Sequence, residues 1–182
     1  MAGFLFALLA CVVAGIGARD QLIVAGLSAR QGRRVTALVV ALASAAGTAW
    51  VASWAAREMG LRVDAPTRQM LAALVLGIAA LEMLLIRPGR VPEEPTDSLG
   101  AFALVLFAQQ LTDATRFLLF AIAAASGTPG AAGLGGAIGG AVVVLAGWIG
   151  GEDLLTLRLT GIRRVLGLVL LAIALWLGLG MR

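Results

Sequence analysis

The sequence predicts an all-α polytopic membrane protein with six transmembrane helices, arranged as two inverted three-helix repeats. Three observations predict it. Hydrophobic residues make up 60% of the 182 residues and charged residues 13%, with mean hydropathy +0.99. A soluble domain carries roughly a quarter charged residues. Six stretches are long and apolar enough to cross a bilayer, and the chain matches itself at a shift of 95 positions.

A span needs about 20 mainly apolar residues to cross about 30 Å of hydrocarbon. The candidates are 3–27, 35–56, 66–86, 99–125, 131–150 and 161–180. The breaks between them carry Gly32, the charged stretch Arg57 to Pro66, and Arg87 to Ser98 with three prolines. Ser126 to Gly130 and Gly150 to Arg158 follow. The first repeat is then 1–90 and the second 99–182. Residues 91–98 form an exposed linker rich in proline and acid (Pro92, Pro95, Glu93, Glu94, Asp97), with Pro88 shortly before it. Leu8-Leu9-Ala10-Cys11 resembles a lipoprotein signal. The first ten residues lack the positive charge such signals carry, so the segment reads as the first span.

Orientation follows from arginine placement. Arg30, Arg33, Arg34, Arg87, Arg90, Arg158, Arg163 and Arg164 fall on one side, eight in all. Arg57, Arg62, Arg68 and Arg182 fall on the other, four in all. The positive-inside bias makes the first side cytoplasmic and puts both termini outside. All 14 positive residues are arginine and the pI is about 11.2. They lie in short clusters between apolar runs, so no nucleic-acid partner is expected; the partner is the lipid bilayer, and a homo-oligomer is compatible with the composition. No histidine, lysine or tyrosine occurs, and Cys11 stands alone. No nucleophile–base pair or phosphate-binding loop is present, so neither an enzyme nor a bound cofactor is expected.

Under the 95-residue shift, Arg68 meets Arg163, Leu71 meets Leu166, Leu76 meets Leu171, Ile78 meets Ile173 and Ala79 meets Ala174. Gly32 meets Gly127, and the polar cluster 15–21 meets 110–116. Halves with an odd number of spans enter the membrane in opposite senses. This is the architecture of many secondary transporters, whose sites lie between repeats at the midplane.

Two polar clusters interrupt the spans: Gly15-Ile16-Gly17-Ala18-Arg19-Asp20-Gln21 in the first and Gln109-Gln110-Leu111-Thr112-Asp113-Ala114-Thr115-Arg116 in the fourth. Asp20 and Asp113 fall near mid-membrane, where a charge costs several kcal/mol unless it is paired or wet. Either they serve transport, or each Asp neutralises an Arg and clamps the helices together. On a regular helix Asp20, two residues from Ala18, points away from the direction of Ala18, and turns inward only if Gly15 and Gly17 break it. Glu82 is expected to snorkel near Arg87. The glycines of 127–151, with Gly135-x-x-x-Gly139 and Gly136-x-x-x-Gly140, are expected to permit close helix packing. Trp50, Trp54, Trp148 and Trp176 read as interfacial anchors.

Twin clusters in two three-helix halves, the Ala29-Arg30-Gln31-Gly32 turn and the Arg163-Arg164 opening of the last span resemble the six-helix cation/proton exchanger family with twin Glu-x-Gly-Asp-(Lys/Arg)-(Thr/Ser) motifs. This is the family of the Golgi manganese transporters, related to the lysine exporters. The resemblance implies an inner-membrane divalent cation/proton antiporter, exchanging Mn²⁺ or Ca²⁺ for protons at the repeat interface. The motif's Glu, Gly, Asp, basic and hydroxyl positions fall on Gly15, Gly17, Ala18, Arg19 and Asp20 in the first copy. In the second they fall on Gln110, Thr112, Asp113, Ala114 and Thr115. One of four motif carboxylates remains, so the resemblance implies a degenerate metal site of Asp113, Gln110, Thr112 and Thr115. Arg19 is then expected to reach Asp113 in place of the cation, with Arg116 as the competing local partner. Two other functions fit the same pattern: a non-transporting scaffold or partner subunit, and a small-solute exporter.

Overall fold

The computed structural model describes residues 1–86 and 98–180. The proline-rich linker, Arg87, Arg90 and Arg182 lie outside the described residues. Eight helices and no strand occur among those described: α1 (Ala2–Ala14), α2 (Arg19–Gln31), α3 (Val35–Arg62), α4 (Ala65–Leu85), α5 (Leu99–Leu111), α6 (Ala114–Ser126), α7 (Pro129–Thr156) and α8 (Thr160–Leu179). Helices α3, α4, α7 and α8 are each long and apolar enough to cross a membrane. The pair α1 and α2, bent by 58°, makes a fifth candidate if it is one span. Helices α5 and α6 are apolar but individually short. Length and composition mark the chain as an integral membrane protein.

The spans expected as continuous over 3–27 and 99–125 are both broken, for different local reasons. In the first, Gly17 adopts φ +71°, a left-handed conformation that costs glycine nothing. Ala18 is extended, and Arg19 then starts α2. The Gly17 N–H, freed by the break, donates to Gln21 Oε1 at 2.8 Å. In the second, Asp113 is extended and caps α6, its Oδ2 accepting from the Thr115 N–H at 3.0 Å and the Thr115 hydroxyl at 2.6 Å. Aspartate is a favoured N-cap because its oxygen satisfies an orphan N–H of the first turn. Asp64 plays the same part at α4, where hydrogen bonds from Thr67 hold its carboxyl below the usual carboxylate range.

Element boundaries recur along the chain. Helix α2 spans 19–31 and α6 spans 114–126, 95 residues later at both ends; α4 starts at 65 and α8 at 160. Both α2 and α6 end on a positive-φ glycine, Gly32 and Gly127. Helices α3 and α7, and α4 and α8, run antiparallel. Ser53 of α3 packs at Gly133 of α7, while Thr48 and Gly140 both meet Arg116 further along. Likewise Ala73, with Gly178, and Ala80, with Gly167, set α4 antiparallel to α8.

Glycine decides the closest approach. A Cβ on Gly139 of α7 would lie 2.7 Å from the Leu8 carbonyl oxygen, and one on Gly135 would collide with that of Phe4. The backbones of α1 and α7 therefore touch, as small residues permit in membranes. One hydrophobic cluster joins α1, α4, α6 and parts of α3, α7 and α8; a second joins α2, α5 and the other ends of α3 and α7. Trp50 and Trp54 stack on the exposed surface, and Trp176 is 74% exposed. Trp148 differs from its expected anchor role, packing half-buried against the second cluster. Between α1, α4, α6 and α8 an apolar cleft of about 1000 Å³ remains, walled by Ala14, Leu76, Leu118 and Leu166 at one end.

Because backbone oxygen stands where the new methyls would go, Gly139→Val is expected to destabilise the fold by about 1–3 kcal/mol, the usual scale for overpacking. Gly130→Ala, with nothing within 4 Å of the new Cβ, should leave thermal unfolding in detergent unchanged. Equal melting temperatures for Gly139→Val and wild type would contradict this packing.

Candidate functional site

The two breaks bring charged and polar side chains from α2, α3, α4, α5, α6 and α8 into one buried layer. Helices α2 and α6 both begin there, since each starts at its break. They run apart from it: α2 follows α7, from Gln21 near Gly147 to Ser28 near Gly151, while α6 opposes α7, from Arg116 at Gly140 to Leu119 at Gly136. Two half-helix N-termini thus open on the same layer, each carrying the partial positive charge of unsatisfied N–H groups.

One part of the layer centres on Asp20, which is 6% exposed. The break at Gly17 resets the helix phase, so Asp20 turns inward. Its Oδ1 accepts from the Gln21 N–H at 2.7 Å and its Oδ2 from Gln110 Nε2 at 3.1 Å. Gln110 Oε1 accepts from the Ser44 hydroxyl at 2.7 Å. Arg116 donates from Nε to Thr48 Oγ1 at 2.8 Å and from Nη2 to the Ala45 carbonyl at 3.2 Å. Gly140 leaves the room this guanidinium fills, since a Cβ there would stand 3.0 Å from Nη2.

The other part centres on Glu82. Its Oε1 is 3.1 Å from Arg19 Nη2 and its Oε2 is 2.9 Å from Arg163 Nη2. Asp113 Oδ1 stands 3.9 Å from the same Arg163 nitrogen, too far for a hydrogen bond. Arg19 also donates to Gln109 Oε1 and to the Thr112 carbonyl, both at 3.3 Å. Asp113 Oδ1, Arg163 Nε and Nη1, and Arg19 Nε are buried without a hydrogen-bond partner.

Several expectations are corrected. Arg19 pairs with Glu82, not Asp113, because α2 begins at Arg19 and aims it across to α4. Arg116, the competing partner, turns to α3. Glu82 does not snorkel; it is 6% exposed between two arginines. Arg163, counted among the loop arginines, is 1% exposed. The expected metal ligands do not converge either. Thr115 stays with Asp113 as its capping partner, but the helix break turns Gln110 to Asp20 and leaves Thr112 exposed, bonded to its own helix carbonyls. Among the described residues no group of three His, Cys, Asp or Glu side chains could hold a metal ion. The space beside Asp113 Oδ1 faces a guanidinium, which a divalent cation would be repelled by.

Glu82, Arg163, Ser44 and Thr48 were not among the residues expected. Glu82 carried a signal: it is the lone charge in the apolar run 70–86. Comparison with protein-family models, with curated proteins and with solved structures gives no match.

Asp20, Glu82 and Asp113 balance Arg19, Arg116 and Arg163, so the layer is formally neutral. Removing one partner of a buried pair typically costs about 3–5 kcal/mol, because the other charge is stranded. Glu82→Ala strands two arginines and is expected to cost that much in reversible unfolding in detergent. Arg19→Ala leaves Glu82 its Arg163 partner and should cost the smaller share. The reverse order would show that Glu82 does not organise the layer.

Proposed function

We propose that the chain is a secondary membrane transporter built as two inverted three-helix halves, with α1–α2 and α5–α6 as its first and fourth spans. The reading rests on one observation. Two antiparallel half-helices start 95 residues apart in the sequence, at Arg19 and Ala114, and open on a shared layer of buried charge. Broken helices of this kind set substrate and ion sites between repeats. The cargo that suits this layer is a proton, with or without a small polar solute. A proton needs a carboxylate and no shell of oxygen ligands, whereas a hard divalent cation needs several. Divalent cation exchange, implied by the family resemblance, is the weaker form of the reading. A non-transporting scaffold or partner subunit is favoured by one specific observation, the three-to-three balance of acid and arginine.

Proteoliposomes carrying a pH-sensitive dye and loaded in turn with Mn²⁺, Ca²⁺ or small amino acids test this. Proton movement dependent on one of these solutes, returning to the empty-liposome rate in Asp113→Asn, is the expected outcome. No proton movement above the empty-liposome rate, with or without solute and under either gradient direction, would favour the scaffold. We place the loop at Arg33 in the cytoplasm of a bacterial cell and both termini outside. Without Arg163 the arginine split is seven to four, the bias being unchanged in sign. An impermeant thiol reagent applied to cells should therefore fail to label Arg33→Cys in a Cys11→Ser background, and labelling would reverse the orientation.

A further inference from the structure

We infer that Glu82 is a proton-binding site and that Arg163 is the switch that reads its state; as a transport element this rests on the function proposed above. The geometry is one of competition. Arg163 offers Nη2 to Glu82 at 2.9 Å while Asp113 Oδ1, buried and unpartnered, waits 3.9 Å from the same nitrogen. Two carboxylates therefore face the same guanidinium nitrogen, and at these distances only Glu82 is hydrogen-bonded to it.

The groups facing Glu82 from the surrounding helices are Arg19 of α2, Arg163 of α8, and Asp113 with the Ala114 N–H at the start of α6. A proton taken from water by Glu82 converts its carboxylate to a neutral acid. No other bond changes, Arg163 stays protonated, and the layer passes from neutral to one net positive charge. The charge-assisted bond at Oε2 is lost, and Asp113 becomes the stronger acceptor for Arg163. Closing 3.9 Å to a charge-assisted length of about 2.8 Å satisfies Asp113 Oδ1.

A path to the protein surface and a readout are both present. The Arg19 side chain is 21% exposed, and its bond to the Thr112 carbonyl is exposed, so the Glu82 pair is open to the protein surface on that side. On the other side lies the apolar cleft, with Leu166 on its wall one turn beyond Arg163. A Cβ on Gly17 would lie 3.5 Å from Arg163 Cδ. The stem of the moving guanidinium thus rests on the α1–α2 break, and a shift at Arg163 is felt there.

Infrared difference spectroscopy of the purified full-length chain in lipid nanodiscs, titrated with acid and without any cargo or gradient, tests the assignment. The expected result is a carboxylic-acid carbonyl band at higher frequency than those of exposed carboxyls. It should shift when glutamate alone is labelled with ¹³C at the side-chain carboxyl, persist in Asp20→Asn, and vanish in Glu82→Gln. The labelled wild type needs no substitution, so a folding failure in the variant does not obscure the answer. A band unmoved by the glutamate label assigns the proton to Asp113 or Asp20 and overturns the proposal, as does its survival in Glu82→Gln or the absence of any such band. The band is read without transport, so a failure of the flux experiment leaves it standing, and the reverse also holds.

Discussion

Charge buried at bilayer depth must be neutralised where it stands, and that constraint organises this molecule. Glu82 holds Arg19 and Arg163 at once, tying α4 to α2 and α8. Asp20, through Gln110 and Ser44, ties α2 to α5 and α3. Neither contact survives a slide of one helix by a single turn, about 5.4 Å. Apolar packing between membrane helices is tolerant of such slides, because lipid is as apolar as leucine. The polar layer therefore sets register, and the hydrophobic clusters on either side follow it.

Close packing supplies the other half of the arrangement. The glycines of α7 admit α1 on one face and Arg116 on another. Where side chains are larger the fit is looser: α8 packs chiefly on α4 and leaves the apolar cleft beside α1 and α6. Tight and loose contacts thus lie on different faces of α1.

The helical class, the apolar runs and the 95-residue spacing were legible in the sequence, because hydropathy and glycine placement are local properties. Gly32 and Gly127 align at that spacing, and both take a positive φ. The polar clusters were also visible, but their connections were not. A continuous helix through Asp113 puts Gln110 on its face, and the N-cap at Asp113 destroys that relation. The pair Asp113 and Thr115 was a capping signal that hydropathy masked. Glu82 and Arg163, 81 residues apart, carried no spacing that linked them. Each was explained locally, one by a neighbouring arginine and the other by a turn, so their meeting had to be seen in three dimensions.

The ion pair between α4 and α8 also bears on how the chain is made. Ribosomal synthesis delivers α8 after α4, with Arg163 in the first turn of α8. An arginine on a membrane helix opposes insertion, by about 2.5–3.5 kcal/mol at the helix centre and less towards its ends. By then α4 is already in place and presents Glu82 as the counter-charge. Insertion of α8 is therefore templated by a carboxylate made some 80 residues earlier, and its docking is electrostatic recognition between two segments of the same chain.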